Sequence, residues 1–352
     1  MIDLAGTWRL RCNARNIEVD YPVPGDVHSA LIAAGIIPHP YKGKNELACR
    51  WVADEEWVAV HRFELAVVEE GEYTLDIDYL DTVATVLVNG VEVLKAENCF
   101  RRYRPDVTKA LKVGTNTVEV RLHSNTKAAS EKQAAQPFYI PYSTSNNPIP
   151  NGNMLRKPQC HFGWDWNLAV VPFGVCGDFG LSHARSVRIE NINVEQIHLE
   201  DGSVEVDIHV VLTGVQEFGE VEYSYFFDGQ HQSFKEPNLR GSQSDHARFV
   251  VQEPRLWWPS GQGVPHLYDL EVRCGEQVVR RRIGLRKPEL ATDRDGVGSR
   301  FAFKVNGREI FCKGANWIPA DALPSNATPE LTRKLLQAAK DAGMNMIRVW
   351  GG

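Results

Sequence analysis

The stretch TVATVLVNGVEVL, residues 82–94, sets two apolar runs on either side of Asn89-Gly90. An Asn-Gly link takes a left-handed backbone at both positions and folds its flanks into a tight β-hairpin. The same grammar recurs along the chain. EYTLDIDYL (72–80) alternates apolar and polar residues, and VGTNTVEVRLHS (113–124) supplies a further turn and strand. Asp201-Gly202 marks a turn within ARSVRIENINVEQIHLEDGSVEVDIHVVLTG (184–214). Alternation with a period of two puts one face of each strand in a core and the other in water. Short strands at turn-separated intervals predict a mainly β chain built of sandwiches. At 352 residues the chain is too long for one ordinary domain, which predicts two or three.

One helix is predicted early, in GDVHSALIAAG (25–35), with Asp26 as N-cap and Gly35 as stop. Residues 127–160, rich in Ser, Asn, Pro and Gln, have no sustained period and read as a long loop that ends at HFGWDWN, residues 161–167. Near residue 300 the pattern changes. REIFCKGANW (308–317) reads as one apolar strand, and MNMIRVW (344–350) as another. Between them TPELTRKLLQAAKDAG (328–343) reads as a helix. Thr328 caps it, Pro329 opens it, Gly343 stops it, and Leu331, Leu335, Ala339 and Ala342 share a face. Strand, helix, strand in this order predicts a βαβ unit and a parallel sheet. The expected domains are therefore residues 1–185, 186–290 and 291–352.

Composition narrows the function. A hydrophobic content of 43% with 24% charged residues is that of a soluble globular protein. The net charge of -6 argues against nucleic acid or an anionic membrane as the main partner. No stretch approaches the ~20 apolar residues of a membrane span. The N-terminus lacks a basic segment followed by an apolar run, and seven scattered cysteines include no CxxC pair. Together these predict reduced thiols and a cytoplasmic location. Without HExxH, an EF-hand loop or a glycine-rich phosphate loop, no metal or cofactor is expected.

HFGWDWN places the carboxylate of Asp165 between the indoles of Trp164 and Trp166, just after Gly163. Buried beside two tryptophans, a carboxylate is costly unless fully hydrogen-bonded. On a sugar the trio is useful, because an indole covers the apolar C–H face and the carboxylate accepts from two neighbouring hydroxyls. From the heptapeptide alone, a structural turn and a sugar site weigh about equally.

Motifs along nearly the whole chain resemble those of the family 2 glycoside hydrolases, most closely the β-mannosidase branch. They include AGTWRL (5–10), VPGDVHSALIAAGIIPHPYKGKN (23–45), LDTVATVLVNG (80–90), FRRYRPDVT (100–108) and RKPQCHFGWDW (156–166). WWPSGQGVPHLY (257–268), RRIGLR (281–286), KGANWIPAD (313–321) and MIRVWGG (346–352) follow in order. The resemblance implies a jelly-roll-like sugar-binding β-sandwich, an immunoglobulin-like β-sandwich, and the start of a TIM (β/α)8 barrel.

By that likeness Trp164 and Asp165 form the subsite for a terminal sugar, with Trp166 bracing the loop. Arg348 and Trp350 line the active site at the end of the second barrel strand, and Trp317 and Asp321 stand after the first. The core reading prevails for Trp8, Trp51 and Trp57. The chain departs from the family where Asn167-Leu168 replace a usual Gly-Pro, and where Gly174-Val175-Cys176 replace Gly-Ile-Trp. Retaining glycosidases use two carboxylates ~5–5.5 Å apart. In this family they come from barrel strands four and seven, whereas residues 291–352 fall far short of the ~250 of a barrel. The implied acid/base and nucleophile glutamates therefore lie beyond Gly352, and no residue here is expected to be catalytic. The resemblance implies hydrolysis of terminal non-reducing β-D-mannose with retention and no cofactor, the 352-residue chain alone being inactive. β-Glucuronidase, β-galactosidase and exo-glucosaminidase specificities remain alternatives, as does a stand-alone carbohydrate-binding protein. A homo-oligomer is compatible with the sequence.

Overall fold

The computed structural model describes residues 1–215, 219–237 and 241–351. Strands hold 46% of the residues and helices 16%, so the chain is mainly β as expected. It divides into two compact units, Met1–His183 with Pro319–Thr332, and Ala184–Ile318 with Arg333–Trp350.

In the first unit a six-stranded antiparallel sheet runs in the order Ile17–Val23, Gly6–Cys12, Trp57–Leu65, Gly114–Leu122, Ala84–Val88 and Val91–Ala96. The hairpin read from Asn89-Gly90 closes its edge. With φ of 49° and 84°, the two residues sit in the left-handed region that matches the strand twist. Burial alternates along Gly6–Cys12, so Trp8, Leu10 and Cys12 point inward. Trp8 and Trp57 are fully buried because each indole N–H finds a carbonyl, Leu4 at 2.9 Å and Val52 at 3.0 Å. Tyr21, Phe162, Phe173 and Phe179 complete this core.

The early helix spans Val27–Ala33. The Asp26 carboxylate accepts from the Ser29 N–H at 2.8 Å, the expected N-cap bond. The long loop, by contrast, begins as a helix, Asn125–Ala134, capped by the Ser124 hydroxyl. Its Ala, Glu, Lys and Gln favour helix. Only Asn125 and Ala129 are buried, however, so it has no apolar stripe for periodicity to reveal. Two single 3-10 turns, Gly152–Met154 and Gln159–His161, interrupt the rest.

The second unit opens with two antiparallel sheets. Val187–His198, Val204–Gly214 and Gly241–Val251 make one; Gln230–Pro237, Glu220–Phe227, Tyr268–Cys274 and Gln277–Ile283 make the other. Three strands and four around Tyr225, Phe227, Phe249 and Val206 form an immunoglobulin-like sandwich. A three-stranded meander follows, Pro288–Ala291, Ala302–Val305 and Arg308–Ile310.

The single strand read over 308–317 is thus two. Arg308–Ile310 pairs antiparallel in the meander, whereas Gly314–Trp317 pairs parallel with Met346–Val349. One straight strand cannot serve both partners, and at the crossing Phe311 is 82% exposed. The parallel pair joined by the helix Pro329–Asp341 is the predicted βαβ. The Thr328 hydroxyl accepts from the Leu331 N–H at 3.2 Å and Gly343 has φ of 76°. None of the helix residues is buried.

Candidate functional site

Phe162–Trp164 pairs antiparallel with Asn167–Ala169, Trp164 opposite Asn167, so Asp165 and Trp166 are the two-residue tip of a tight hairpin. Gly163 makes the approach possible. Its φ is 109°, and a Cβ there would stand 2.5 Å from the Pro148 ring. Burial falls steadily toward the tip. Phe162 and Gly163 are buried, Trp164 and Trp166 half-buried, and Asp165 exposed. The Asp165 carboxylate has no hydrogen-bond or ion-pair partner among the described residues. In a buried structural turn that charge would need N–H partners. Here it is left to solvent between two indoles.

The hairpin stem behaves oppositely. Lys157 and Asp81 are both fully buried, with Nζ 3.1 Å from Oδ1. His161 Nδ1 lies 3.4 Å from the other oxygen, and Lys157 donates to the Pro172 carbonyl at 2.8 Å. The two contacts to Asp81 are ionic in distance, but their angles fall short of hydrogen bonds. Burial alone would raise Asp81, yet Lys157 and His161 outweigh it and hold the carboxyl below its ordinary range. Burial also drives the imidazole of His28, which has no well-formed hydrogen bond, down to about 4. His161 is lowered as well, first by burial and further by Lys157, with Asp81 opposing. Burial pushes the Cys160 thiol up to about 11 and Cys176 well above its usual value, so neither is a ready nucleophile.

In the second unit the ends of the parallel strands gather a second group. The register sets Asn316 beside Arg348 and Trp317 beside Val349. Arg348 Nη1 donates to Asn316 Oδ1 at 3.0 Å, and the Trp350 N–H donates to the Trp317 carbonyl at 2.9 Å. Both indoles are half-buried and Arg348 is exposed. Trp317, Arg348 and Trp350 all stand at the carboxyl ends of parallel strands, where such sheets place chemistry, with Trp317 joined to the others through the main chain. Asn316 joins them. No local pattern singles it out, since its role depends on a cross-strand neighbour.

Asp321 is different. Its Oδ1 accepts from the Leu323 N–H at 2.8 Å and from Asn326 Nδ2 at 3.3 Å, bracing its own loop. That loop docks in the first unit. Leu323 is 1% exposed in the core there, and the Ala322 N–H donates to the Tyr41 hydroxyl at 2.9 Å. The Asp26 N–H donates to the Ser325 hydroxyl at 2.7 Å, and the Asp26 carboxylate accepts from that hydroxyl in turn.

A jelly-roll-like sandwich with a Trp-Asp-Trp hairpin tip, an immunoglobulin-like sandwich and a parallel βαβ define a class, that of modular carbohydrate-active proteins. Residues 8–177 match the glycosyl hydrolase 2 galactose-binding domain-like family, and residues 187–286 the glycosyl hydrolases family 2. The chain belongs to glycosyl hydrolase family 2. A probable beta-mannosidase of Caenorhabditis elegans is 30% identical over the whole chain, and beta-mannosidase B of Emericella nidulans is 34% identical over 94% of it. The chain spans 42% and 40% of these relatives' lengths. The crystal structure of a beta-D-mannosidase from Dictyoglomus thermophilum superposes with a TM-score of 0.93 at 30% identity, covering all of this chain and 44% of that one. An exo-chitosanase of Amycolatopsis orientalis, at 14% identity and a TM-score of 0.78, shares the fold.

Proposed function

We propose that this chain supplies the terminal-sugar subsite and the opening of the catalytic barrel in a retaining exo-acting β-mannosidase. The observation that carries the reading is the Asp165 carboxylate, exposed and without a partner among the described residues, between two half-buried indoles in sequence. Relatives at 30–34% identity bearing the name beta-mannosidase support the specificity.

On this reading an indole, foremost Trp164, covers the C–H face of the terminal mannose while Asp165 accepts from adjacent hydroxyls. Charge-assisted bonds of this kind are worth ~1.5–3 kcal/mol. Arg348, oriented by Asn316, and Trp350 line the substrate side of the barrel opening, with Trp317 beside them. No glutamate of this chain is assigned as acid/base or nucleophile, because that chemistry needs a facing pair ~5–5.5 Å apart. The 352 residues alone should release no chromophore from an aryl β-mannoside above a buffer blank. In the complete hydrolase, aryl β-mannoside should be cleaved at least about a hundredfold faster than the β-glucuronide, β-galactoside or β-glucosaminide. Preference for any of the other three would overturn the specificity and leave the family standing.

A further inference from the structure

We infer that Asp81, Lys157 and His161 are positioning residues. They form a buried triad, the ion pair of Asp81 and Lys157 with the His161 imidazole beside it, that sets where the Trp164–Trp166 tip stands and so how tightly the terminal sugar is held. The inference rests on the sugar-subsite reading of Asp165. Asp81 and Lys157 have no side-chain exposure and His161 is 6% exposed. Phe162 and Phe173 belong to the same core, and the buried Asp26 and His28 lie near enough to act on Lys157 and His161. Apolar residues of similar volume serve stability there as well as charges do. What charges add is a fixed register.

The contacts show what is registered. Asp81 belongs to the short strand Leu80–Asp81, which pairs with Gly174–Val175. Its two oxygens face Lys157 and His161, four residues apart in the segment that enters the hairpin. Lys157 also donates to the Pro172 carbonyl, and the His161 carbonyl accepts from the Val171 N–H at 2.9 Å, in the segment that leaves it. The carboxylate therefore holds the entering leg at two points, Lys157 ties that leg to the leaving one, and four residues beyond His161 stands Asp165. Substrate contact is left to the tip, and the triad acts through it.

The test uses the paired variant Asp81→Asn/Lys157→Met, which removes both charges together and leaves neither bare. In this chain labelled with 5-fluorotryptophan, the ¹⁹F resonances of Trp164 and Trp166, assigned by Trp→Phe variants, should shift or broaden. The melting temperature should stay within about 5 °C. In the complete hydrolase KM for an aryl β-mannoside should rise roughly tenfold or more. Unmoved resonances with wild-type KM would overturn the inference. So would a loss of activity no larger than the loss of folded protein. If the paired variant does not fold, His161→Asn is read by the same two measurements. Asp165→Asn separates the two levels of argument. If it leaves KM and kcat unchanged, the sugar-subsite reading itself fails. If it is impaired while the paired variant is not, only the triad fails.

Discussion

Asp81 and Asp165 lie in the same sandwich and receive opposite treatment. Asp81 has no exposure and faces a lysine and a histidine, which keep it ionised in a place where an unpaired carboxylate would take up a proton. Asp165 is exposed and has no partner among the described residues. Folding consumes the first charge and leaves the second available. The contrast separates a carboxylate that shapes the protein from one presented to something else.

Each side of the contrast can be broken by experiment. The largest effect is expected from Lys157→Met alone, which strands the Asp81 charge. Breaking a buried pair costs about 3–5 kcal/mol, so the melting temperature should fall by roughly 10 °C. A fall of a degree or two would mean that water reaches Asp81.

Acid should find the same region next. Burial keeps the His28 imidazole neutral in the folded chain down to about 4, with Asp26 opposing and Lys157 and His161 adding to the shift. The unfolded chain binds that proton near pH 6.5. Between these values the unfolded state holds more protons, so stability falls as pH drops from about 6.5 to about 4, by something on the order of 3 kcal/mol. The lowered His161 contributes with the same sign. Urea midpoints at pH 7 and 4.5 measure the difference, and equal midpoints would refute the assignment.

Asp165→Asn should do the reverse of Lys157→Met. A near-normal melting temperature with kcat/KM down roughly ten- to a hundredfold is expected in the complete hydrolase. A melting point several degrees lower, with activity reduced only in proportion, would return Asp165 to the structural class. The smallest effect belongs to Asp321→Ala. Loss of its loop-bracing bonds should remove about 1 kcal/mol and lower the melting temperature by ~2–4 °C, with kcat/KM close to wild type. A tenfold drop in turnover would put Asp321 among the sugar contacts.

What the sequence made legible follows the range of the forces involved. The Asn89-Gly90 hairpin, the Asp26 and Thr328 caps and the Trp-Asp-Trp segment are local, written within four or five consecutive residues. The helix Asn125–Ala134 was written in composition and in Ser124, but no apolar stripe announced it. The break after Ile310 depends on which strand each half meets, and alternation carries no information about partners. The pairings of Asp81 with Lys157 and of Asn316 with Arg348 are equally non-local. No single segment encodes them.

The docking of Leu323 and Ser325 also has a meaning in time. On the ribosome the strands of the first sandwich emerge through His183 long before these two residues exist. At ~5–20 residues per second the wait is of the order of ten seconds. Until then the core lacks Leu323, and the buried Asp26 has Ser29 but not Ser325. Nascent chains stalled with Ser325 still inside the exit tunnel should be cut by protease in the first sandwich faster than chains stalled well beyond it. Equal rates would show a sandwich complete without its late piece. The residue that caps the first helix thus gains its last partner late, so the order of synthesis and the order of completion differ.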